Sequence, residues 1–225
     1  SPYWYYMDAG ARETHTNGLG ALRLYSVDQA DGWRNLGDSP NLLLQKTPAD
    51  EFTATAKLRF IPNPQLKEKG ESCGFVLMGL DYATVRLTDT DEGVVLQYIE
   101  CKDALKHAEE QVLKTIPMES TPLPMPYSNI YMSTTVPPVA PLGYEATDVF
   151  IKMEVRPHER KGNVPDLTAK FFYSLDGKKW TELTEKAFVG KPGKWIGSKF
   201  GFYCNRLAPK NDSGWVQVDW IEITR

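Results

Sequence analysis

Histidine and cysteine are scarce in this chain, three of each among 225 residues, and their scarcity excludes several kinds of chemistry. Cys73, Cys101 and Cys204 are widely separated and odd in number, so they cannot form a complete disulfide framework, and at most one pair is possible. Cys73 and Cys204 sit beside aromatic or Gly-Phe steps in strand-like runs, where cysteine serves as a small buried hydrophobe. His15, His107 and His158 are far apart and flanked by polar residues. That spacing argues against a catalytic or metal-binding histidine cluster and for solvated loop positions. There is no Cys-x-x-Cys and no Gly-x-Ser-x-Gly elbow. Gly18-Leu19-Gly20 and Gly32 do not stand between a strand and a helix N-terminus, as a phosphate-binding loop requires. No apolar run approaches the ~20 residues of a membrane helix. Acidic and basic residues are interspersed around a net charge of -3, which argues against a nucleic-acid surface. The N-terminus, Ser-Pro-Tyr-Trp, lacks both an initiator Met and the basic-then-apolar layout of a signal peptide. The chain therefore reads as a mature or excised piece of something longer.

What is present is a period of two. Phe52, Ala54, Ala56, Leu58 and Phe60 alternate with Thr53, Thr55, Lys57 and Arg59, the pattern of a half-buried strand. Further strands are expected over Ala21–Tyr25, Leu42–Lys46, Gly74–Leu80, Ala83–Thr88, Val94–Cys101, Val112–Ile116, Val149–Arg156, Leu167–Ser174, Trp180–Leu183, Phe200–Asn205 and Trp215–Thr224. Asp176-Gly177 reads as a type I′ hairpin turn, because Asp-Gly supplies positive φ cheaply. The helix-favouring stretch Asp103–Gln111 has too thin an apolar stripe for more than a loop or one turn. A Pro-rich excursion at 117–143 holds Tyr127 and Tyr131 and cannot be a central strand; loops of that length are commonly functional or disordered. With 41% hydrophobic residues, no internal repeat and no charged linker, the chain is expected to form one domain over 1–225, an all-β, two-sheet antiparallel sandwich of jelly-roll type.

Aromatic residues, 12% of the chain, are the other conspicuous presence: Trp4, Tyr5, Tyr6, Trp33, Trp180, Trp195, Trp215 and Trp220. Sugar rings stack their C–H faces on such side chains, so exposed ones point to glycan contact. Sandwich cores and inter-domain packing use the same residues. Carboxylates are plentiful, but no compact acidic motif marks an acid/base pair.

Three motifs in order resemble the C-terminal concanavalin A-like domain of glycoside hydrolase family 43 β-xylosidases. The first is Leu42-Leu43-Leu44-Gln45-Lys46, then Phe52–Leu58 and Cys73–Met78. The second is Phe171-Phe172-Tyr173-Ser174-Leu175-Asp176-Gly177-Lys178-Lys179-Trp180, similar to that family's FYYSxDGxxW hairpin. The third is Gly197–Cys204 with Val218-Asp219-Trp220-Ile221. The likeness runs from about Leu42 to Ile223, with 117–143 as an insertion.

The resemblance implies a domain that sits beside a catalytic five-bladed β-propeller absent from this sequence, so no catalytic residue is expected here. It implies a parent enzyme cleaving xylan- or arabinan-type hemicellulose, secreted, periplasmic or at the cell surface. The family's pocket-narrowing loop corresponds to Gly190–Gly197, with Trp195 at the position commonly held by Phe. A structural calcium ion near the last strand would use Asp219. Trp195, Tyr127 and Tyr131 are the expected sugar or pocket contacts; the partners are the propeller of the same parent chain and a plant polysaccharide or oligosaccharide, with neither nucleic acid nor membrane involved. The alternatives are a carbohydrate-binding module, or a sandwich glycosidase or lyase in its own right.

Overall fold

A computed structural model describes residues 4–6, 21–123, 143–158, 166–193, 197–207 and 214–225. Strand β5 (Phe52–Ile61) behaves as its sequence dictates: Phe52, Ala54, Ala56, Leu58 and Phe60 are buried, with half-buried polar residues between them. On one side it pairs antiparallel with β11 (Glu145–Pro157), and on the other with β16 (Trp215–Thr224). The last of these ladders breaks register between Val218 and Trp220, so Asp219 is the extra residue of a bulge.

These three strands centre a sheet in the order β1 (Trp4–Tyr6), β2 (Leu22–Tyr25), β16, β5, β11, β12 (Leu167–Ser174), β13 (Thr181–Glu182), with β10 (Thr121–Pro122) added on β11 and β14 (Phe188–Gly190) on β12. The second sheet runs β3 (Val27–Asp28), β15 (Lys199–Arg206), β6 (Ser72–Met78), β7 (Tyr82–Thr90), β8 (Gly93–Cys101), β9 (Gln111–Pro117), with β4 (Leu43–Lys46) also on β15. Every expected strand is present, and the two-sheet sandwich holds. Its ladders are antiparallel apart from β3 on β15, where Val27 and Asp28 lie parallel to Asn205 and Arg206.

Between the sheets lies one large core, in which Phe52 meets Phe200 at 5.2 Å between ring centroids and Phe75 stacks on Phe202 at 4.8 Å. Burying each such ring contributes roughly 1.5–3 kcal/mol. Cys73 and Cys204 are buried in this core and Cys101 in the second cluster, and all three are free thiols.

Two local expectations are corrected. Asp176-Gly177 is not a type I′ turn: Gly177 has φ 71° but Asp176 is not in the left-handed region, and the connection from Ser174 to Thr181 is longer than two residues. The Asp176 carboxylate instead accepts the Lys178 and Lys179 amides, both at 2.8 Å, and so holds a wider loop. The excursion expected at 117–143 includes strand residues at its start, and residues 124–142 lie outside the described residues. Pro117 closes β9, and Thr121–Pro122 forms an edge pair with Ala146 and Glu145, a position proline tolerates. The stretch Asp103–Gln111 does form one turn, a 3-10 helix at Ala104–Lys106 between two left-handed residues, Asp103 and His107.

Strand β6 is buried on both faces. One face meets the main core; the other carries a second cluster in which Val76, Met78, Tyr82 and Tyr203 pack under Leu36 and Ala104. Asn35 fixes this cover. Its Nδ2 donates to the carbonyls of Ala104 (3.1 Å) and Ala108 (2.7 Å), and its Oδ1 accepts the Gly37 amide.

Candidate functional site

The segment entering the expected pocket-facing loop leaves β14 at Gly190 and runs directly across the turn that joins β6 to β7. The Leu80 amide donates to the Lys191 carbonyl at 2.9 Å, and the Lys191 amide donates to Asp81 Oδ2 at 3.4 Å. Asp81 is buried, and its other oxygen accepts the Asp103 amide at 2.8 Å. The approach is close enough that a Cβ on Gly79 would collide with the Lys191 carbonyl oxygen. Two residues further on, Gly193 and Gly197 exchange backbone hydrogen bonds of 3.1 and 3.2 Å. The base of the loop is thus clamped at both levels. Trp195 lies between the glycines and outside the described residues, as do Tyr127 and Tyr131.

Lys102, alongside, donates to the Val189 carbonyl at 2.5 Å and stands 4.0 Å over the Phe188 ring, tying β14 to the end of β8. The family resemblance implied the loop but not the clamp, because Asp81 and Lys191 are 110 residues apart.

Asp219 sits on the outer face of the larger sheet. Its Oδ2 takes Lys57 Nζ at 2.6 Å and its Oδ1 takes Gln217 Nε2 at 2.8 Å. An ammonium and an amide N–H donor occupy the directions in which a calcium ion needs oxygen ligands, and no group of three or more His, Cys, Asp or Glu suited to a metal occurs among the described residues. Among the described residues, Asp219 is engaged by an ion pair with Lys57 and a hydrogen bond from Gln217. On the same face Phe150 lies 6.0 Å from the exposed Trp220, and Lys152 stands over both Phe172 (4.2 Å) and Trp180 (5.2 Å).

On the outer face of the smaller sheet, Glu110 accepts the Tyr82 hydroxyl at 2.5 Å and Arg86 at 2.7 Å. Burial pushes the Tyr82 hydroxyl well above its ordinary pKa, and Glu110 adds to the shift. Burial opposes the Arg86 charge, but Tyr203, Glu110 and Tyr82 outweigh it and raise its pKa. Tyr82 also accepts the Leu36 amide at 3.0 Å beneath the cover.

Buried carboxylates elsewhere are equally committed. Glu71 accepts the Ser26 hydroxyl together with the amides of Gly214 (2.7 Å) and Asn63 (2.5 Å). Asp89 pairs with Lys69 at 3.0 Å, although burial still leaves its pKa raised. An acid/base pair needs two carboxyl groups facing one open space; these four, Glu71, Asp81, Asp89 and Glu110, are each engaged with other parts of the protein.

Two sheets packed over a continuous core, closed by a last strand at the centre of the larger one, define a concanavalin A-like sandwich. The chain belongs to the family of β-xylosidase C-terminal concanavalin A-like domains, whose pattern matches residues 1–224. No curated protein sequence matches it significantly. Among solved structures, a protein described as bifunctional GH43-CE from Bacteroides eggerthii is similar with a TM-score of 0.60 and 16% identity, covering 99% of this chain and 22% of that one. A GH43 glycoside hydrolase engineered for endo-xylanase and exo-arabinofuranosidase activity gives 0.59 and 15%, covering 91% and 34%. The xylan β-1,4-xylosidase of Bacillus halodurans gives 0.58 and 15%, covering 91% and 33%. The chain therefore spans between 22% and 34% of the length of these proteins, and at such identities the likeness is one of fold.

Proposed function

We propose that this domain performs no chemistry of its own and serves as the accessory sandwich of a family 43 glycoside hydrolase acting on xylan- or arabinan-type hemicellulose outside the cytoplasm. In this reading it packs on the catalytic propeller of the same parent chain and narrows the substrate pocket with the loop that carries Trp195. The observation behind it is the clamped base of that loop: Lys191 held by Leu80 and Asp81, and Gly193 bonded to Gly197. A side chain that shapes another domain's pocket is effective only if its mount is rigid. The covered part of the outer face of the smaller sheet, where Tyr82 is engaged by both Leu36 and Glu110, favours this reading over a self-sufficient sandwich enzyme.

The test has two arms. The 225-residue chain alone should release no sugar from nitrophenyl β-xyloside, nitrophenyl α-arabinofuranoside or xylo-oligosaccharides; release would overturn the reading. In the parent enzyme, Trp195→Ala should raise KM for xylobiose by about tenfold, the loss of one aromatic contact worth about 1.4 kcal/mol, with a smaller change in kcat. An unchanged KM would sink the role given to Trp195.

A further inference from the structure

Cys73 on β6 and Cys204 on β15 are register partners in an antiparallel ladder, and both side chains are fully buried in the main core. Antiparallel partners alternate between two kinds of pair. In one kind the two residues exchange backbone hydrogen bonds; in the other their amides and carbonyls point away from each other and the side chains approach more closely. The hydrogen bonds on either side decide which kind this is. The Gly79 amide donates to the Asp81 carbonyl at 2.8 Å and the Asp89 amide to the Glu71 carbonyl at 2.9 Å, both continuing the register of β6 with β7. Glu71, Cys73 and Gly79 occupy positions of one parity, so the Cys73 backbone groups are turned to β7 and away from β15. From the other strand, the Cys204 carbonyl accepts Asn41 Nδ2 at 2.8 Å, and Ser198, of the same parity, accepts the Thr47 amide at 3.3 Å. Cys204 therefore also turns its backbone groups away from its partner.

Cys73 and Cys204 are thus a non-hydrogen-bonded pair. Such residues have Cα atoms about 4.5 Å apart, inside the range of roughly 4.4–6.8 Å that a disulfide spans, with their Cβ atoms at the closest cross-strand approach. Cys101 does not compete. It lies in the second cluster, on the opposite face of the smaller sheet, with its thiol 3.5 Å from the Ala108 carbonyl. Burial raises the pKa of both core thiols, and the neighbouring Cys204 raises that of Cys73 further. Exchange with a disulfide runs through the thiolate. In the closed core the reduced pair is therefore inert, and a bond between the two has to form while β6 and β15 are still accessible.

We propose that Cys73 and Cys204 are an oxidation site, joined during folding as a cross-strand disulfide inside the sandwich with Cys101 left as a free thiol. One thiolate attacks the disulfide of a protein or low-molecular-weight oxidant and releases one thiol of it; the second thiolate then attacks the mixed disulfide and releases the other. The two cysteines are oxidised, the oxidant's disulfide is reduced to two thiols, and those thiols carry the two protons away. The inference rests on the ladder alone and stands or falls separately from the role proposed above.

The test starts from the 225-residue chain, reduced and unfolded in urea, then refolded by dilution into a buffer of oxidised and reduced glutathione. Free thiols are alkylated under denaturing conditions and the digest is read by mass spectrometry. The expected product is one crosslinked pair of peptides, Cys73 with Cys204, two hydrogens lighter than the reduced peptides, with alkylation at Cys101 only. Its thermal midpoint should lie about 5–15 °C above that of the reduced chain. Cys101→Ala should keep the crosslink and Cys204→Ala should abolish all crosslinking. Absence of a Cys73–Cys204 bond in the refolded chain, a bond to Cys101, or a crosslinked chain without a cooperative thermal transition would overturn the assignment.

Discussion

Glu71 shows how much one side chain can join. It is buried at the start of β6 and accepts from Ser26, Asn63 and Gly214, which lie where β2 passes to β3, after β5, and before β16. Glu71→Ala leaves three buried donors unanswered, and the expected cost is about 3 kcal/mol or more, read from the urea midpoint at unchanged slope. Asp176 illustrates the opposite regime, being fully exposed. The Lys179 and Lys178 amides, with the Ser174 hydroxyl, hold its carboxyl down to about 2 from 3.8. Its contribution is present above the unfolded value of 3.8 and is lost as pH falls toward 2. An NMR titration should find the Asp176 midpoint near 2, with the Lys178 and Lys179 amide shifts moving in step.

The elements divide into those legible from local pattern and those fixed by distant partners. β5 could be read from its alternation alone, and β6, buried on both faces, announced itself as a continuous apolar run. The cover on β6 could not be read, since Asn35 reaches Ala104 across 69 residues of sequence. The Asp-Gly signal misled because turn type depends on loop length, and here Asp176 spends its carboxylate on a longer loop. The resemblance placed a loop at Gly190–Gly197, whereas the clamp at its base depends on Asp81. Gly79→Ala tests that clamp: the new Cβ must displace Lys191. The expected result is a stability loss of about 1–3 kcal/mol and faster hydrogen exchange at the Gly193 and Gly197 amides, while the amides of β5 keep their protection.

At the scale of the molecule, the fold and family were within reach of the sequence because ordered strand motifs carry them. A chain lacking residues 215–225 should show no cooperative thermal transition by circular dichroism, because β16 supplies the pairing for β2 and β5 together. That placement governs the order of events during synthesis. The ribosome delivers β5 and β11 long before β16, so the middle of the larger sheet waits with an open seam between β2 and β5 until the final strand emerges. Contacts of such sequence separation form slowly, and an unfilled seam is a template for stray strands. The larger sheet therefore closes only once β16 has been made, and the domain is most exposed to aggregation in the interval before that strand joins β2 and β5.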